Sequence, residues 1–285
     1  MQEKQNSVRG CGMAMRALAA GLILVAAPYL QAQTSTSRTI LAIFAHPDDD
    51  ILIGPLLAHY AKEGVRVHLV IVTSGQQGVT PHARIPAGAQ LGAVREAESR
   101  AACKAYGIEE PSLLGEQDGT LGAMKHHDEI VARLAEIIQN VKPSVIITFG
   151  PDGVTGHTDH RAVSNMVTEV FQTFPVNHPS GPIPDKLYYV AYPASLLAGN
   201  AAASLPGRVA TVSDTYVTTV VESRDGLAAA ARAEECYVSQ HTPEMMAGLN
   251  QVMANVLKGN IYLRLALFRQ DAKTNSEKDV FQGIP

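Results

Sequence analysis

Six consecutive residues, Ala45-His46-Pro47-Asp48-Asp49-Asp50, gather one imidazole and three carboxylates into a single turn. Far along the chain a second cluster, Gly156-His157-Thr158-Asp159-His160, adds two imidazoles and a carboxylate. Such a set is poor at holding a phosphate and well matched to a divalent cation, which takes imidazole nitrogen and carboxylate oxygen. His46 and Asp49 are three residues apart at a helix entry, so both can face one point. His160 offers a third ligand from another strand end. Two histidines and one carboxylate leave a coordination position open for water, the usual arrangement of a catalytic zinc, whereas a closed structural site takes four Cys or His ligands. Zinc held in this way lowers the pKa of its water to about 7, so hydroxide is available at neutral pH. Asp48, adjacent to Asp49, is placed to take the proton of that water. His157 can reach the same pocket as an oxyanion donor, and Asp159, two residues on, can orient and charge its ring. Asp is also a favoured helix cap, but three successive acids plus a histidine exceed what capping requires.

Both clusters need strand ends to carry them. Each follows an apolar run, Ile40-Leu41-Ala42-Ile43-Phe44 and Val145-Ile146-Ile147-Thr148-Phe149, of the kind a buried strand shows. Between and after them strand and helix patterns alternate. Strands are expected over 39–44, 65–73, 111–114, 144–149, 186–192 and 211–221. Helices are expected over 51–63, 89–106, 127–140, 160–173, 224–239 and 243–258. This is the pattern of βαβ units: a mostly parallel, Rossmann-like α/β sheet flanked by helices, in a single domain. In open sheets of this kind ligands bind outside the carboxyl ends of the strands, which is where both clusters fall. No G-x-G-x-x-G follows the first strand and no G-x-x-x-x-G-K-[ST] occurs, so a dinucleotide or nucleoside-triphosphate site is not expected. The loops at 81–88 and after Phe174 are expected to line the substrate entrance.

The 285 residues are 46% hydrophobic and 18% charged, an ordinary globular balance with a net charge of −4. Without a basic stripe, nucleic acid is not an expected partner. Trp is absent, which weighs against a surface platform for long polysaccharides. At the N-terminus Lys4, Arg9 and Arg16 precede an uncharged apolar run from Ala17 to Ala27, then a stretch ending at Ala32. That is the layout of a secretory signal peptide over residues 1–32, with the mature domain over 33–285. The apolar run is shorter than the roughly 20 residues that span a bilayer, so an exported protein (periplasmic or extracellular) without stable membrane insertion is expected. Cleavage there would take the net charge from −4 to −6. Cys103 and Cys236 lack C-x-x-C spacing and read as free thiols.

The two clusters resemble the A-H-P-D-D-E and G-H-x-D-H motifs of the PIG-L/LmbE-like zinc-dependent N-deacetylases. The first departs at its last position, Asp50 standing where the family has Glu. Arg95-Glu96-Ala97-Glu98 is similar to the family's R-x-x-E helix, Asp118-Gly119 to its D-G, and Ser239-Gln240 to a late S-Q; the likeness covers residues 38 to 270. The resemblance implies His46, Asp49 and His160 as metal ligands of Zn2+ or another divalent ion. It implies Asp48 as general base and His157, backed by Asp159, as oxyanion-stabilising or general-acid histidine. Arg95 and Asp118 are implied as contacts to substrate hydroxyls. It further implies an N-acetylated amino sugar as substrate and, by family analogy, a homo-oligomer. Asp50 is expected to be tolerated, through a water in place of the missing methylene. Bland alternatives remain for Arg95, as half of an i,i+3 pair with Glu98, and for Asp118, as a turn former. Two other functions stay open: a non-catalytic carbohydrate- or metal-binding member of the same fold, and a magnesium phosphatase using the Asp run. The interleaved histidines fit the latter poorly, because magnesium prefers oxygen.

Overall fold

Thr39–Phe44 is buried along its whole length, as a strand covered on both faces must be. It forms β1 of a computed structural model that describes residues 38–181, 183–197, 209–269 and 276–284, with the backbone alone of Met124. The expected leader at 1–32 lies outside the described residues. The further strands are β2 (Arg66–Thr73), β3 (Ser112–Glu116), β4 (Val145–Thr148), β5 (Lys186–Val190), β6 (Thr219–Glu222) and β7 (Asn260–Phe268). They make one sheet in the order β3-β2-β1-β4-β5-β7-β6. β1 to β5 are mutually parallel, while β7 runs antiparallel to both β5 and β6. The mostly parallel α/β sheet is therefore as expected, with an antiparallel edge added.

Among the described residues six α-helices connect and cover these strands: α1 (Gly54–Lys62), α2 (Ala89–Tyr106), α3 (His127–Val141), α4 (Thr158–Asn177), α5 (Leu227–Glu234) and α6 (Pro243–Gln251). β1 and α2 have the expected bounds. Elsewhere the differences are physical. The helix expected over 51–63 starts as a 3-10 turn, Asp49–Ile53, and becomes α1 only at Gly54, with Pro55 in its first turn. α4 begins at Thr158, because His157 in extended conformation caps it: its Nδ1 accepts the Asp159 backbone N–H. The helix expected over 243–258 loosens after Gln251 into a π-helical turn, Val252–Val256. β7, the longest strand, lies where no element is expected. Its apolar positions Ile261, Leu263, Leu265 and Leu267 alternate, but only Ile261 and Leu263 are buried, as in a half-solvated antiparallel strand.

Thr36–Pro285 form one compact unit. The order of β1 to β5 reverses direction between β1 and β4, so the space beyond their carboxyl ends is the topological switch point. Residues 45–50 leave β1 and residues 150–160 leave β4 into that space.

Candidate active site

The turn after β1 is held by its own ligand candidates. The His46 backbone N–H donates to Asp49 Oδ2 at 2.6 Å. Asp48 sits at φ 101°, a left-handed conformation uncommon for a residue with a side chain, and makes no capping bond. The acidic run is thus not serving the helix end. Strain of this kind collects where a side chain must be aimed.

The two clusters meet. His46 Nδ1 lies 3.0 Å from His160 Nε2, Asp49 Oδ1 lies 3.1 Å from His160 Nε2, and Asp49 Oδ2 lies 3.4 Å from His46 Nδ1. These separations are what ligand atoms show when each stands about 2.0–2.2 Å from one ion. His160 is preset for the task. Its Nδ1 bonds to the Gly153 carbonyl at 2.9 Å, which leaves the Nε2 lone pair facing Asp49 and His46. Its ring stacks on Phe149, 4.2 Å between centroids and 7° between planes. Two further donor groupings share His46: with His157 and His160, and with Asp118 and Asp159. The second gathers at the other ring nitrogen, since Asp118 Oδ1 is 3.1 Å and Asp159 Oδ2 3.4 Å from His46 Nε2. One imidazole gives an ion one nitrogen. His46, Asp49 and His160 therefore make the candidate ligand set, with Asp118 and Asp159 behind His46, where carboxylates that orient a ligating histidine would stand.

This placement revises three expected roles. Asp159 does not back the His157 ring; its carboxylate accepts the N–H groups of Gly119 at 2.7 Å and Leu121 at 3.1 Å and faces His46. Asp118 is buried, with Oδ1 on His46 and Oδ2 accepting the Gln77 N–H. Arg95 is 3% exposed and turned inward. Its guanidinium donates to the Pro47 carbonyl at 2.5 Å and the Gly75 carbonyl at 2.7 Å, and lies 3.2 Å from Asp48 Oδ1. Arg95 thus positions Asp48. Gly75 and Gly78 make room for it: a Cβ at either would stand within 2.4 Å of Arg95 Nη1. Glu98 does not pair with Arg95. It accepts the Ser239 N–H at 2.8 Å and hydroxyl at 2.6 Å, so the R-x-x-E and S-Q segments are one interaction seen from two ends.

Asp50 needs no water. Tyr237 donates to Oδ1 at 2.5 Å and Tyr106 to Oδ2 at 2.9 Å. The two hydroxyls reach in where the side chain is one methylene short of the family residue.

Electrostatics follow from burial and this crowding of carboxylates. Burial opposes charge on His46, yet Asp118, Asp159 and Asp49 prevail and hold its pKa well above the ordinary value. Burial would raise Asp49, but His160 and His46 hold it far below the carboxylate range. Burial pushes Asp48 up to about 6 against the pull of Arg95. His157 is lowered, by burial and then by the neighbouring His46 and His160, so its ring is neutral at pH 7. With Nδ1 accepting from the Asp159 backbone, the proton of that neutral ring belongs on Nε2.

Beside Asp48 and Asp49 opens a cavity of about 390 Å3. The 81–88 loop, expected at the substrate entrance, does not line it; of the chain after Phe174, also expected there, Tyr192, Leu197, Val209 and residues between Gln240 and Leu257 do. Among them is His241, a residue outside those the sequence analysis singles out. Its Nε2 lies 3.9 Å from Asp48 Oδ2, and burial, with Arg95 nearby, lowers its pKa to about 4. The clue in the sequence is its place directly after Ser239-Gln240.

A doubly wound sheet with a donor set suited to a cation at its switch point, and the Arg95-paired Asp48 beside it, defines an α/β enzyme architecture. Residues 41–171 match the family described as PIG-L, GlcNAc-PI de-N-acetylase. A 1D-myo-inositol 2-acetamido-2-deoxy-alpha-D-glucopyranoside deacetylase of Acidothermus cellulolyticus is 31% identical over 286 residues, covering 87% of this chain and 95% of its own. The chain belongs to the PIG-L deacetylase family. The N,N'-diacetylchitobiose deacetylase of Pyrococcus horikoshii superposes with a TM-score of 0.62 at 17% identity, covering 83% of this chain and 86% of that one. GalB of Pseudomonas putida, a 4-carboxy-2-hydroxymuconate hydratase, superposes with a TM-score of 0.61 at 16% identity, covering 82% and 98%. At such identities the likeness carries the fold alone; a hydratase and a deacetylase share it, so the reaction must be argued from the site.

Proposed function

We propose that this chain is an exported, zinc-dependent N-deacetylase that removes an N-acetyl group from an amino sugar or related glycoconjugate. One observation carries the reading: His46 Nδ1, His160 Nε2 and Asp49 converge to within 3.0–3.4 Å beside an Asp48 carboxylate that the cavity reaches. A divalent ion in that set would polarise the acetyl carbonyl and supply hydroxide near neutral pH. The protein's own groups do the rest. Arg95 holds Asp48 through Oδ1, which leaves Oδ2 to take a proton from the attacking water and pass it to the amine nitrogen as the C–N bond breaks. His157, neutral and protonated on Nε2, donates to the oxyanion that forms on the carbonyl oxygen. Asp118 and Asp159 keep His46 in its ligating orientation. The products are acetate and a free amine.

Support for the substrate class is the relative's name, which specifies an acetamido sugar. The test is acetate release from a panel of N-acetylated amino sugars, with metal content measured alongside. Wild type should release acetate from at least one; His160→Ala should lose both metal and turnover. Acetate release by metal-free protein would remove the reading. Export rests on the basic–apolar–small layout of residues 1–32. The check is the N-terminus of the protein recovered outside the cytoplasm: a start close to residue 33 supports export, and an intact cytoplasmic chain contradicts it. A non-catalytic member of the fold would find its sequence support in Asp50, the departure from the family motif, and the Tyr106 and Tyr237 hydroxyls account for that residue.

A further inference from the structure

The cavity beside Asp48 is far more apolar than an acetyl group or a sugar requires. Apolar side chains make up more than half of its lining, among them Ile51 and Leu52 from the turn after β1, Leu249 of α6, Val252 and Met253 of the π-helical turn and Leu257 just after it. Beyond Asp48, Asp49 and the unpartnered Nδ1 of His241, its polar lining is engaged elsewhere. Tyr192 donates its hydroxyl to the Leu52 carbonyl at 3.1 Å, and the Gln240 amide donates to the Gly78 carbonyl at 2.9 Å. Sugar hydroxyls buried here would lose water and find few partners, which is costly. The polar groups of the site lie elsewhere: His157 and Asp118 do not line this cavity, whereas Asp48 and Asp49 do. A cavity of about 150 Å3 suffices for the six carbons of benzene. The 390 Å3 here would stand mostly empty behind an acetyl methyl.

We propose that this chamber binds the acyl chain of the scissile amide, so that the preferred substrate carries a medium-chain N-acyl group of about six to eight carbons instead of acetyl. The inference rests on the amide-hydrolase reading above. The reaction is unchanged: water adds its oxygen to the acyl carbon, the C–N bond breaks, the amine takes a proton, and the product acid is a fatty acid in place of acetate. Val252 and Met253, the first residues of the π-helical turn, line the chamber together with Asp48.

The experiment measures amine release by the zinc-loaded full chain from N-acetyl-, N-butanoyl-, N-hexanoyl- and N-octanoyl-glucosamine, and from the octyl glycoside of N-acetylglucosamine. Burial of each methylene corresponds to about a fourfold gain, so kcat/KM should rise at least tenfold from acetyl to hexanoyl. Met253→Trp, which fills the chamber, should remove the preference for hexanoyl, taking the hexanoyl-to-acetyl ratio of kcat/KM to about one. Met253→Ala should move the optimum to a longer chain. A flat or falling series overturns the proposal, as does a gain from the octyl glycoside alone, which would give the chamber to the aglycone. Calorimetry of the same N-acyl glucosamines on zinc-loaded Asp48→Ala separates the two layers of the argument. Tighter binding of hexanoyl than acetyl, lost in Met253→Trp, supports the chamber even if no compound is hydrolysed and the hydrolase reading fails. Equal binding of both overturns it.

Discussion

Asp50 shows how one side chain resets its surroundings. Its carboxylate is fully buried, and burial pushes its pKa up to about 6 while the hydroxyls of Tyr237 and Tyr106 pull it down. Both tyrosines are buried too, so the three groups form a closed set sized for Asp. Restoring the family residue with Asp50→Glu adds a methylene to full space and should cost about 1–3 kcal/mol, read as a lower midpoint in denaturant titration. An unchanged midpoint would mean that the tyrosines yield freely. The first and second motifs were legible from sequence because their chemistry is contiguous: His46, Asp48, Asp49, His157 and His160 come together as read. The partners of Asp50 were not legible, because Tyr106 and Tyr237 lie 56 and 187 positions away and nothing local marks them. The roles of Arg95, Asp118 and Asp159 came out differently for the same reason. Spacing indicates that a charged side chain is near a site, and only the fold decides whether it faces the cavity or braces another residue.

At the scale of elements, the loop after β2 and helix α2 work as one support. Gly75, at φ 62°, and Gly78 let the Arg95 guanidinium pass beneath the turn that carries Asp48. Gly75→Ala puts a methyl into that guanidinium and a side chain into a left-handed conformation. It should displace Arg95 and lower kcat at least tenfold while metal content stays at the wild-type level, measured by steady-state kinetics and metal analysis. Loss of metal instead would place the damage at the ligands. Helix α5 carries a different signature. Glu234 is 4% exposed, one of its carboxylate oxygens has no partner, and burial, reinforced by the charge of Glu235, raises its pKa to about 8. An unfolded Glu loses its proton near 4.3 while the native one keeps it, so native stability declines as pH rises from about 4.5 to 8 and is level beyond. Glu234→Gln should therefore melt close to wild type at pH 4.5 and progressively higher than wild type toward pH 8. A constant offset across that range would contradict the assignment. Helix bounds such as those of α2 were readable because Gly107 stops it in the left-handed conformation that Gly favours. β7 was not recognised, because half its apolar positions are solvated and its partners, β5 and β6, are set by topology.

The whole molecule is closed at its C-terminal end by a buried charge pair. Lys186 on β5 donates to Glu277 at 2.6 Å, and Glu277 also accepts from Tyr188 at 2.5 Å and Thr219 at 3.0 Å. This ties the last described segment, 276–284, to both β5 and β6. Glu277→Ala would leave Lys186, 1% exposed, without its counter-ion and should destabilise by about 3–5 kcal/mol, with the midpoint of cooperative unfolding as the measure. At the other side of the sheet the switch point collects carboxylates that a cation would balance. No helix among the described residues is long and apolar enough to cross a membrane. The sheet class and the position of the site at its carboxyl edge were readable because alternating strand and helix patterns admit few arrangements. The role proposed for Asp48 is proton transfer beside a cation that it does not hold. Its most direct test is turnover by Asp48→Asn at a metal content matched to wild type. The account predicts full metal occupancy with turnover reduced by about 10²–10⁴-fold. Turnover within a few-fold of wild type, or loss of the metal together with activity, would contradict it.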